Sequence, residues 1–92
     1  MYNNRQYNYK YISGVASPVV FTGAGILHSV VINAVGTGGT ITLTDTSSPS
    51  ATVGIITVNS PMTTLLYDVG VAGGLQVTTS ASPNITVTYE AF

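Results

Sequence analysis

Acid–base or metal chemistry in this 92-residue chain would have to come from two cations, Arg5 and Lys10, three acids, Asp45, Asp68 and Glu90, and a single histidine, His28. Such chemistry needs several ionisable groups converging on one point, and these are scattered along the chain. Cysteine is absent, which removes disulfides and thiolate metal sites together. A triad of His28 with a serine and Asp45 or Asp68 is conceivable, but no serine sits in a nucleophile elbow. His28 therefore reads as a half-buried strand residue that bonds a backbone carbonyl or a neighbouring subunit. The acids lack the spacing of a calcium loop. The glycine clusters Gly36–Gly39 and Gly70–Gly74 carry no following lysine and open no helix, so they are turns and not phosphate cradles. Asn84-Ile85-Thr86 matches a glycosylation triplet, but with no export signal the match is a product of strand composition. Two cations make no basic stripe for nucleic acid. The expectation is a non-enzymatic protein with no catalytic residue, no metal, no cofactor and no nucleic-acid partner.

The elements that carry these residues read as strands. "ILHSVVINA" (26–34) places Ile26, His28, Val30 and Ile32 on one face, and β-branched residues suit a pleated surface. "TITLTD" (40–45) turns Ile41 and Leu43 inward and threonines outward. "NITVTYE" (84–90) repeats that pattern with Ile85, Val87 and Tyr89, and "LQVTT" (75–79) follows it. "VVFT" (19–22), "TVGIITV" (near 53–58) and "TTLLYDV" (near 63–69) supply three further strands, with Gly54 marking a bulge or a close backbone approach. Glycine turns and Ser-x-Pro loops punctuate them, and no ten-residue stretch has helical periodicity. At an offset of 34, residues 35–50 and 69–84 share six of sixteen positions, an echo expected of two hairpins built with the same turn residues. The whole predicts a single antiparallel β-sandwich, jelly-roll or Ig-like, of about seven to eight strands over residues 13–92, the eighth drawn from the leader.

Charge is the unusual quantity. Charged residues make up 5% of the chain, against about 25% in ordinary globular proteins. Residues 1–12 hold both cations and four of the six tyrosines, so the leader carries +2 and the remainder −3. There is no apolar signal core and no run of the roughly 18 apolar residues that span a bilayer, so a soluble chain without membrane association is expected. The leader has no hydrophobic period, yet Tyr, Asn, Gln and Arg are interface residues. It is expected to be an extended arm over residues 1–12 that adds a strand to a neighbouring sheet. In that arm Tyr2, Tyr7, Tyr9 and Tyr11 are anchors, Arg5 and Lys10 the charge complement, and His28 a further interface residue.

"GILHSVVINAVGTGGTITLTD" and "TTLLYDVGVAGGLQVTTSASPNITVTYE" resemble the small all-β virion proteins of tailed bacteriophages, the capsid decoration or cement proteins and head knobs, over about residues 25–90. The resemblance implies a β-sandwich made in the host cytoplasm that assembles as a homo-oligomer, often a trimer. It would bind the major capsid protein at the capsid surface, with no catalytic residues to carry over. The alternative is a receptor- or glycan-binding β-sandwich of a phage tail or fibre.

Overall fold

In the computed structural model, which describes residues 7–58 and 63–92, the chain is all β. The eight strands are β1 (Asn8–Ser13), β2 (Val19–Thr22), β3 (Gly25–Ala34), β4 (Thr40–Asp45), β5 (Ala51–Thr57), β6 (Thr63–Val71), β7 (Gly74–Thr79) and β8 (Asn84–Ala91). They form two antiparallel four-stranded sheets, ordered β1-β8-β3-β6 (sheet A) and β2-β7-β4-β5 (sheet B). Seven strands lie where alternation and turn residues place them. The two echoing segments contribute β4 and β7, which pair side by side in sheet B.

Alternation decides the core. Ile12, Leu27, Val30, Ile32, Val71, Ile85 and Val87 from sheet A meet Phe21, Ile41, Leu43, Ile56, Leu75 and Val77 from sheet B in one buried cluster. Phe21 and Tyr89 stack across the sheets with ring centroids 5.2 Å apart. The buried set in β3 corrects the expected faces. Leu27 is buried with Val30 and Ile32, while Ile26 and His28 are only half-buried. The cause is a bulge: Leu27 pairs with Tyr89 and Ser29 with Thr88, which leaves His28 as an extra residue and reverses the parity of the strand.

Gly54 combines both roles expected of it. Leu43 pairs with Gly54 and Thr44 with Thr52, so Val53 is bulged out of the β4–β5 ladder. A Cβ on Gly54 would stand 2.8 Å from the Tyr67 hydroxyl, so its missing side chain makes room for a tyrosine packed against the core from the other sheet. In the turn before β4, Gly36, Gly38 and Gly39 all have positive φ, the conformation that favours glycine.

The leader supplies the eighth strand, and it joins a sheet of its own chain. β1 crosses the expected boundary between residues 12 and 13 and pairs in register with β8 of its own chain, from Asn8 opposite Tyr89 to Ser13 opposite Asn84. Over the described residues the leader is therefore the edge strand of sheet A. Ile12 is the described leader residue whose side chain is buried in the shared core.

Candidate functional site

Once β1 is an edge strand, pleating sorts its residues. Ile12 faces the core, so Asn8 and Lys10 share its side, while Tyr7, Tyr9 and Tyr11 face outward. Tyr9 lies opposite Thr88 and Tyr11 opposite Thr86. Their rings are 72% and 54% exposed on a strand held by a continuous ladder. Beside them the hydroxyls are already linked to one another. Asn33 Nδ2 donates to Thr86 Oγ1 at 2.9 Å, the Ser29 and Thr88 hydroxyls lie 2.5 Å apart, and Ser13 Oγ donates to Asn84 Oδ1 at 3.0 Å. The outer face of sheet A at β1 and β8 is thus a fixed surface of aromatic rings, hydroxyls and amides.

Lys10 stands apart from this surface. Its cross-strand partner Val87 is fully buried, so Lys10 occupies the core-facing side of an open edge while remaining exposed itself. A lysine in that position deters a foreign strand from adding outside β1.

Further across sheet A, two irregularities meet. Opposite the extra His28 of β3, the register with β6 runs from Leu27–Val69 to Ser29–Leu66, which sets Tyr67 and Asp68 against it. Asp68 adopts φ 50°. The consequence is a contact: His28 Nδ1 donates to Asp68 Oδ1 at 2.6 Å, since a carboxylate only accepts. The Tyr7 ring lies flat on the imidazole, with centroids 3.9 Å apart and planes 4° from parallel. Tyr7, His28 and Asp68 therefore tie the chain entering β1 to β3 and to the far edge strand β6.

This cluster resembles two-thirds of a triad and lacks the last third. No serine hydroxyl among the described residues bonds His28, and the adjacent Ser29 hydroxyl is shared with Thr88. No group of three metal-binding side chains and no pocket occurs among the described residues. What the arrangement does is orient: it fixes the imidazole, and through it the tyrosine.

Asp45 has a different task. Its Oδ1 accepts from the backbone N–H groups of Ser47 and Gly73, both at 3.1 Å, and Oδ2 accepts from Ala72 at 3.0 Å. These bonds, Ala72 and Gly73 foremost, hold its carboxyl below the ordinary carboxylate range. Asp45 thus joins the loop after β4 to the β6–β7 turn.

Of the residues expected at an interface, the structure gathers Tyr7, Tyr9, Tyr11 and His28 on one face of sheet A, and it places Lys10 at the edge. Tyr2 and Arg5 lie outside the described residues. Two residues went unnoticed as organisers: Ile12, signalled only as the leader's one branched aliphatic side chain, and Tyr67, whose fit against Gly54 depends on the facing sheet. No family model, curated protein or solved structure matches this chain.

Proposed function

We propose that this chain is a non-enzymatic structural protein of a virion surface, a capsid decoration or cement protein that attaches to the capsid lattice through β1 and the outer face of sheet A. The observation that carries the reading is the rigid presentation of Tyr9 and Tyr11, large exposed rings beside a row of uncharged hydroxyls. Rings of that kind give contact area at small entropic loss, and the adjacent hydroxyls give adaptable hydrogen bonds. The strand order supports it by analogy of fold. The orders β1-β8-β3-β6 and β2-β7-β4-β5 are those of an eight-stranded jelly roll, an architecture that recurs in capsid and lectin domains. Attachment to a lattice also adds stability to a small domain, because binding only the folded form shifts the folding equilibrium.

The test is the composition of purified particles. The protein should be found on the capsid exterior by reconstruction, and Tyr9→Ala with Tyr11→Ala should deplete it there while leaving the isolated fold intact. Absence of the protein from the particle overturns the reading. A second reading, a glycan-binding module, is favoured by the same rings lying beside Thr86 and Thr88 on an open face, since sugar rings stack on aromatics. It predicts binding of free polysaccharide by the unattached protein.

A further inference from the structure

We infer that β1 is an exchangeable strand: in assembled copies, residues 8–13 of one chain pair with β8 of a second copy, which places its Ile12 in that copy's core and its Tyr7 on that copy's His28. The inference rests on the reading of the chain as an assembling surface protein, and it names the partner at that surface as a second copy of the same chain.

The interface is already built, because β1 shows what fits against β8. Six residue pairs in register, one buried isoleucine and a tyrosine stacked on His28 define the contact. None of these depends on which chain donates the strand. Among the described strands β1 has no neighbour in the sheet except β8, so it leaves without dismantling any other pair. Its exit also has a pivot. Gly14 has φ +80° and nothing lies within 4 Å of the Cβ it lacks, so once its N–H leaves Pro83 and its carbonyl leaves Thr79 it can take up the other backbone conformations open to glycine.

The connector beyond that pivot is short and bonded along its length to β7, with Thr79 N–H donating to Ala16 O at 2.8 Å, Val77 N–H to Pro18 O at 3.0 Å and Gln76 Nε2 to Ser17 O at 3.1 Å. Gly14 N–H donates to Pro83 O at 3.1 Å, the Ala16 N–H to Thr79 Oγ1 at 3.0 Å, and Thr79 Oγ1 to Gly14 O at 2.6 Å. Exchange therefore has to release these bonds to Gln76, Val77, Thr79 and Pro83; once released, the five residues 14–18 reach up to roughly 17 Å, so exchange occurs between copies whose β8 edges abut. Short hinges of this kind invite swapping, and because the same contacts form either way, proximity decides the outcome. Copies held side by side on a lattice have the high local concentration that favours exchange. Charge is as indifferent to the donor as the other contacts: residues 1–12 carry +2 and the remaining residues −3, so the leader is drawn to the body of its own copy or of the next. Lys10 completes the logic, since it opposes a strand adding outside β1 but does not oppose replacement of β1 itself.

The chain has no cysteine, so engineered thiols report the connection directly. Ser13 and Asn84 are register partners whose side chains touch at 3.0 Å, within reach of a disulfide after substitution. Full-length Ser13→Cys protein and full-length Asn84→Cys protein are mixed, assembled at high concentration or on particles, and oxidised. A disulfide joining position 13 of one chain to position 84 of the other, seen on a non-reducing gel, is the expected result. The pair Tyr9→Cys and Thr88→Cys gives a second, independent readout on the same ladder. If neither mixture cross-links while each double-substituted single chain closes on itself, β1 stays at home and the exchange is wrong. That outcome together with normal incorporation into particles leaves the attachment reading standing, and cross-linked copies absent from particles leave the exchange standing alone.

Discussion

Ile12→Ala measures how firmly β1 is bound to its sheet. The substitution removes three carbons from a side chain that is 3% exposed. At about 0.8 kcal/mol per buried methylene this is about 2.4 kcal/mol of transfer free energy. The site lies on an edge strand, where neighbours and water close the gap, so only a small cavity term is added and the total stays at about 2–3 kcal/mol. A domain of this size holds on the order of 5–14 kcal/mol in all, so the loss is a large fraction. With a urea dependence of about 1–1.5 kcal/mol per molar, the unfolding midpoint should fall by about 2 M. Tyr11→Ala, one residue away but 54% exposed, is the control and should change stability by less than about 0.5 kcal/mol. Equal and small shifts for the two variants would refute β1 as part of the core and return the leader to a free arm.

Two further outcomes test the loops that close the far end of the molecule. A Cβ on Gly73 would overlap Ser47 Cα and stand 2.5 Å from Ser47 N, backbone atoms that cannot swing aside. Gly73→Ala should therefore lower stability by about 1–3 kcal/mol, as overpacking does. Gly70→Ala, whose nearest contact would be 3.9 Å away, should be tolerated in the same thermal melt. The carboxyl of Asp45 is held below its ordinary value by backbone N–H donors, so its contribution is full above the unfolded-state pKa and is lost as pH falls through the lower folded one. Acid titration of the urea midpoint should accordingly fall more steeply in the wild type than in Asp45→Asn, and parallel curves would contradict the role given to those bonds.

How much of this was legible in the sequence follows from which forces act locally. β4, β7 and β8 declare themselves because one face is fully buried, and Ile41, Leu43, Leu75, Val77, Ile85 and Val87 alternate without interruption. β3 misleads by one residue, because the bulge at His28 is imposed by two neighbouring strands and leaves no mark on its own composition. β1 hides for a different reason. Its inward positions are Asn8, Lys10 and Ile12, so an edge strand buried at one end reads as a polar leader. The His28–Asp68 contact joins residues forty positions apart, and only the β3–β6 pairing brings them together. The candidate surface was thus visible as a set of tyrosines, but its orientation required knowing which sheet the leader joins.

The order of strands also governs how the chain comes into being. Among the described strands β4 and β5 are the only paired neighbours that follow one another in sequence, and β8 is inserted between β1 and β3. During synthesis both of those strands leave the ribosome long before their shared neighbour exists, so sheet A closes only after β8 has emerged. Pairings of such long range fold slowly, and a nascent chain that waits with open edges is exposed to aggregation. Completion of β8 is therefore the step that commits the polypeptide, and a chain stalled before Asn84 cannot be a smaller version of the domain.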